Sequence, residues 1–66
     1  MQIHLNGKAH DVVAPSTIST LIADLGLSPD GVAVAINAIV IPRSTHHQTR
    51  LQPGDRVEII QAVGGG

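Results

Sequence analysis

Residues 1–13 read Met-Gln-Ile-His-Leu-Asn-Gly-Lys-Ala-His-Asp-Val-Val, and the Asn6-Gly7 pair at their centre decides what the rest of the chain must build. Before it, Met1, Ile3 and Leu5 alternate with Gln2 and His4, the two-residue period of a strand with one buried face. Asn-Gly accepts the positive φ that a type I′ turn requires at both central positions, so the chain reverses there into a second strand from Lys8 to Val13. A two-stranded hairpin is marginal alone and needs an apolar layer against it.

The next segment supplies that layer. Pro15-Ser16-Thr17 ends the strand and offers a hydroxyl, from Ser16 or Thr17, to the unpaired N–H groups of a helix start. Ile18, Leu21, Ile22 and Leu25 fall at i, i+3, i+4 and i+7, one apolar stripe, and Gly26 stands where a left-handed residue stops the helix. Ser28-Pro29-Asp30-Gly31 reads as a turn. Val32, Val34 and Ile36 then alternate with Ala33 and Ala35, a third strand expected to be covered on both faces. Asn37-Ala38 reads as a tight reversal, and Ile39-Val40-Ile41 as a short strand closed by Pro42, which cannot donate to a ladder. Residues 43–50 are polar and without period, the pattern of a surface loop, after which Leu51 is expected to dip back into the core. Pro53-Gly54-Asp55 makes the last turn, and residues 57–63 are too apolar for an edge strand and belong at the centre of a sheet.

The sum is an α+β chain in which one main helix covers one face of a mixed sheet of about five strands, the first and last adjacent and parallel. That arrangement is a β-grasp, expected over residues 1–63, with residues 64–66 a separate flexible glycine tail.

Composition excludes several kinds of chemistry. The chain has 66 residues, formal net charge -1, no cysteine and no aromatic side chain. A domain of this size buries only about 60% of the surface that its unfolded chain exposes, which leaves little room for a substrate cleft, so an enzyme is not expected. Without cysteine there is no disulfide, no thiol nucleophile and no thiolate metal ligand. Lys8, Arg43, Arg50 and Arg56 are the fixed cations against five carboxylates, so neither a phosphate-tracking patch nor a stacking platform for nucleic acid exists. The start of the chain lacks the basic and apolar regions of a secretory signal, and no apolar run approaches the ~20 residues that span a bilayer. A cytoplasmic protein without membrane association is expected.

His4, His10, His46 and His47 do not form a ligand pattern. His46 and His47 are neighbours that point apart, and no carboxylate or imidazole at helical spacing completes a set, so solvated histidines and no metal are expected. Asp55 and Glu58 flank a turn with Arg56 between them, which suits turn and solvent-face roles better than acid–base work.

The feature left over is Gly64-Gly65-Gly66, reached directly from the last strand through Val63 and expected to be the true end of the chain. Glycine runs also occur as inert linkers. A terminal carboxylate on an arm without Cβ atoms can, however, enter a narrow channel in another protein. A carboxylate is a poor electrophile until one oxygen becomes part of a leaving group, which an ATP-dependent partner supplies by adenylation. The domain is then the handle by which partners hold the arm, with edge strands or the sheet surface as docking face.

Leu5-Asn6-Gly7-Lys8, Val32-Ala33-Val34-Ala35-Ile36-Asn37, Ile41-Pro42-Arg43, the run Leu51-x-x-Gly54-Asp55-x-Val57-Glu58-Ile59-Ile60, and Ala62-Val63-Gly64-Gly65-Gly66 together resemble the ThiS family, the sulfur carriers of thiamine biosynthesis. The similarity runs along essentially the whole chain. Gly-Asp-x-Val and a terminal Gly-Gly are shared with molybdopterin-synthase small subunits and other ubiquitin-like carriers. The Val-Ala-Ile-Asn and Ile-Pro-Arg segments, and a tail without Pro-Pro, point to ThiS. The chain departs from many relatives in lacking aromatic side chains, as at His4.

The resemblance implies a ubiquitin-like β-grasp that binds no cofactor and is activated by others. A ThiF-type enzyme uses ATP to adenylate Gly66, and a cysteine desulfurase provides the persulfide that converts it to a thiocarboxylate. The thiazole synthase ThiG takes that sulfur into the thiazole phosphate made from deoxyxylulose phosphate and dehydroglycine. Gly66 then carries the sulfur, while Val63, Gly64 and Gly65 occupy the partner's channel. Competing readings are a carrier serving molybdopterin synthesis, cysteine synthesis or protein tagging, and a β-grasp interaction domain with a passive tail.

Overall fold

The computed structural model describes residues 1–61. The hairpin forms as its turn chemistry requires: β1 (Gln2–Leu5) pairs antiparallel with β2 (Lys8–Asp11), joined through Asn6 at φ 49° and Gly7 at φ 84°. Strand β2 is shorter than the sequence pattern suggests. The pairing of Met1 with Val12 continues once more, through Val12 N–H to Met1 O at 2.9 Å and the Met1 ammonium to Val12 O at 2.7 Å. Val12 then turns into the core while Val13 is 88% exposed, because the chain must leave the sheet to start the helix.

The helix α1 (Ile18–Asp24) is capped by Thr17, whose side chain accepts from Thr20 N–H at 3.2 Å while Thr20 Oγ1 accepts from Thr17 N–H at 2.9 Å. Ser16, the other candidate cap, is buried beside it and bonds the Thr20 hydroxyl at 2.8 Å. Ile18, Leu21 and Ile22 are buried, Leu25 packs at the margin, and Gly26 at φ 72° ends the element. A single 3₁₀ turn (Pro29–Gly31) under Ser28 leads into β3 (Val32–Ile36). Strand β4 (Ile39–Ile41) folds back through Asn37 at φ 51° and Ala38 at φ 69°, an I′-like pair in which the second residue is not glycine. After Gly54 at φ 81°, β5 (Arg56–Gln61) runs up the middle of the sheet.

The sheet order is β2-β1-β5-β3-β4, with β5 parallel to β1 (Leu5 beside Val57) and antiparallel to β3 (Val34 beside Ile59). This is the β-grasp topology anticipated from the element order. The helix lies on one face, and Ile3, Val34, Ile36, Val57 and Ile59 meet Ile18, Leu21, Ile22 and Leu51 in one aliphatic core. Burial of such side chains is worth about 1.5–3 kcal/mol each before chain entropy is counted, so ten of them are a thin reserve for a chain of this size.

Three expectations need correction. Strand β3 is not covered on both sides: Ala33 is exposed and Ala35 half-buried, because the helix occupies only the Val34 face. Methyl groups are compatible with either a covered or an open face, so the alternation alone could not decide. Residues 43–50 are also more than a surface loop. They begin with a 3₁₀ turn (Arg43–Thr45) and pack against the start of α1, where Thr49 O accepts from Ile18 N–H at 3.1 Å and His46 O from Ser19 N–H at 3.3 Å. With Thr17 serving Thr20 and Leu21, every N–H of the first helical turn has an acceptor. His46 itself is 3% exposed rather than solvated, with Nε2 against Ile41 O at 3.0 Å and Nδ1 buried with no hydrogen-bond partner among the described residues.

Candidate functional site

Val63, Gly64, Gly65 and Gly66, and with them the expected domain boundary after residue 63, lie outside the described residues. The structure describes the strand that leads to them. Strand β5 is held by β3 over most of its length, from Val57 to Gln61, and by β1 over its start, at Arg56 and Val57. Two asparagines add side-chain bonds to it, one near each end.

At the start of β5, Asn37 Oδ1 accepts from Arg56 N–H at 3.0 Å and Asn37 Nδ2 donates to Asp55 Oδ1 at 3.2 Å. The other carboxylate oxygen of Asp55 accepts from Gln52 N–H at 2.8 Å. Asp55 is therefore a turn-forming carboxylate with both oxygens engaged, in line with its expected role. Near the other end, Asn6 Oδ1 accepts from Ile59 N–H at 2.9 Å and Asn6 Nδ2 donates to Ile59 O at 3.3 Å. Sequence reasoning assigned Asn6 and Asn37 to turns alone. Their positive φ explains asparagine fully, which concealed a second use of each amide.

The two faces around β5 differ in character. On the open face, Val40 is 72% and Ile60 67% exposed, and with Ala33, Ala35 and Glu58 they frame a shallow apolar depression of about 70 Å³. Its neighbour along the sheet, a depression of about 380 Å³, is lined by His4, Arg56 and Glu58 together with Gly7 and Val57. On the helix side, where α1 stops short of the end of the sheet, Leu5, Asn6, Leu25, Leu27, Ile59 and Gln61 line a groove of about 360 Å³.

The histidines are not brought together. His4 is exposed on the open face, His10 is half-buried opposite Ile3, His46 is buried under the helix start, and His47 is exposed with Nε2 near Gln48 Nε2 at 3.2 Å. Among the described residues, no group of three or more histidines and carboxylates is placed to hold a metal ion. Arg43 forms an exposed ion pair with Asp30, a contact worth little to stability. No helix among the described residues is long and apolar enough to cross a membrane.

Comparison with known proteins agrees with this architecture. The ThiS family model matches residues 3–66. A thiazole synthase of Magnetococcus marinus is 41% identical over all 66 residues, yet the chain spans only 20% of that protein's length. The sulfur carrier protein ThiS of Escherichia coli is 35% identical, with both chains covered completely. The crystal structure of a thiamine biosynthesis protein (ThiS) from Geobacter metallireducens superposes with a TM-score of 0.85 at 29% identity, again over the whole of both chains. A family match that takes in the sheet, the helix and the triglycine together, beside a relative of the same extent, establishes that the chain belongs to the ThiS family and has its ubiquitin-like β-grasp fold.

Proposed function

We propose that this protein is a sulfur carrier of thiamine biosynthesis and that Gly66 is the residue that carries the sulfur. The observation that carries the reading is the end-to-end match with the sulfur carrier protein of Escherichia coli, and that match includes a triglycine with no side chain to obstruct it.

The chemistry follows from the group available. The Gly66 carboxylate attacks the α-phosphate of ATP on a ThiF-type enzyme, pyrophosphate leaves, and an acyl adenylate forms. A persulfide derived from a cysteine desulfurase then attacks the acyl carbon and AMP leaves. A thiol on the activating side takes the remaining sulfur as a disulfide and frees the thiocarboxylate. The carrier contributes no acid, base or nucleophile other than its own terminus, so it is a co-substrate and not a catalyst, and ATP belongs to the partner. Val63, Gly64 and Gly65 pass through the partner's channel. The thiazole synthase ThiG is the acceptor, a pairing supported by thiazole synthases that contain a stretch similar to this whole chain. The open sheet face, with Ala33, Ala35, Val40 and Ile60, suits the grip of a partner that holds the domain while its tail is processed.

The test is incubation with ATP, a ThiF-type enzyme and a sulfur donor, followed by intact mass and fragment analysis. The expected result is replacement of one oxygen by sulfur in the C-terminal fragment. Oxidation of Met1 gives nearly the same nominal shift, so the label must map to Gly66 and vanish when Gly66 is deleted. A shift that survives the deletion, or that never appears, refutes the reading. Transfer to thiazole synthase in preference to molybdopterin-type acceptors separates the thiamine role from other carrier roles.

A further inference from the structure

Strand β1 ends before β5 does. On the side of β5 that faces β1, the bonded groups recur every second residue, as an extended strand requires: His4 N–H donates to Asp55 O at 2.9 Å and Asn6 N–H donates to Val57 O at 2.9 Å. The next groups in that row are the N–H and C=O of Ile59. By then β1 has turned away at Asn6 and Gly7 into the hairpin. The Asn6 side chain takes up both, at 2.9 Å and 3.3 Å, with the donor–acceptor pair that a strand backbone would have offered. Its primary amide acts as one more rung of the ladder, supplied by a residue whose own backbone has already left the sheet.

We propose that Asn6 is a positioning residue for the reaction at the tail: by locking Ile59 against β1 it keeps the end of β5 in line as far as Gln61. It thereby fixes where and in which direction β5 ends at Gln61, the base from which an adenylating partner must take up the tail. This rests on the carrier reading above. The physical reason is that a five-residue arm must reach a defined point in another protein, and each backbone torsion left loose at its base adds to the ordering cost of docking.

Asn37 provides the control. It also makes two side-chain bonds at the opposite end, one to Arg56 N–H at the start of β5 and one to the Asp55 carboxylate just ahead of it, and it too sits at positive φ. In both positions glycine keeps the turn without strain and deletes the amide. Thermal unfolding of Asn6→Gly and Asn37→Gly is expected to fall by similar amounts. The kinetics of ATP–pyrophosphate exchange with a ThiF-type enzyme are expected to separate them: kcat/KM falls about tenfold for Asn6→Gly, mostly through KM, and stays within about twofold of the unaltered protein for Asn37→Gly. Amide exchange at Ile59 is expected to accelerate, relative to Val57, in Asn6→Gly alone.

Equal kinetic losses in the two variants, or an unchanged Ile59 amide in Asn6→Gly, overturn the assignment of Asn6. An unaltered protein that supports no exchange overturns the carrier reading instead, so the two failures are distinguishable.

Discussion

Ile59 and Ile60 are the same side chain at adjacent positions of one strand, and they live in different surroundings. Ile59 is 8% exposed under the helix, whereas Ile60 is 67% exposed on the opposite face. The same division runs across the sheet, with Val34 buried between the exposed Ala33 and half-buried Ala35. One face carries the free energy of folding. The other carries an exposed apolar patch at Val40 and Ile60 that adds nothing to the core, beside the charged and ionisable side chains of His4, Arg56 and Glu58.

The sharpest way to break that contrast is to truncate the two isoleucines separately. Ile59→Ala is expected to cost about 3 kcal/mol in urea denaturation, a large share of what so small a domain possesses, because a cavity opens beneath α1. Should the loss stay below about 1 kcal/mol, the helix is not the lid of this face. An intermediate effect is expected at the helix start: Thr17→Ala removes the acceptor for Thr20 N–H and should lower stability by about 1 kcal/mol in the same assay. The smallest effect belongs to the open face, where Ile60→Thr keeps a β-branched side chain and should move the urea midpoint by no more than about 0.5 kcal/mol equivalent. A cost near that of Ile59→Ala would mean that the outer face is covered after all.

What was legible in the sequence was legible because it is local. The alternation of Met1 to Leu5, the i, i+3, i+4, i+7 stripe of Ile18 to Leu25, and the left-handed positions Gly7, Gly26 and Gly54 each state their structure within a few residues. The central place of β5 followed from its high share of apolar residues, Val57, Ile59 and Ile60 among them, and its parallel pairing with β1 from the single helix available to cover them. What escaped was non-local. Nothing between Arg43 and Arg50 announces that the carbonyls of His46 and Thr49 finish the N-terminus of a helix about 30 residues earlier, and nothing marks His46 as buried. Asn6 and Asn37 escaped for another reason: one sufficient explanation, the turn, was already in hand. The tail was the clearest signal in the sequence, three consecutive glycines after a strand that belongs at the centre of the sheet, and it lies outside the described residues.

The parallel pairing of β1 with β5 also decides where this protein can be handled. Gly54 N–H donates to Gln2 O at 2.8 Å, so the front of the chain sits beside the beginning of β5. From there the six residues Arg56–Gln61 carry the backbone about 20 Å to the far end of the sheet. An affinity tag, a fluorophore or a surface tether attached ahead of Met1 therefore projects from the opposite pole to the one where β5 exits. The molecule can be immobilised by its front while the exit of its last strand faces solution, which makes it a convenient bait for whatever grips that end.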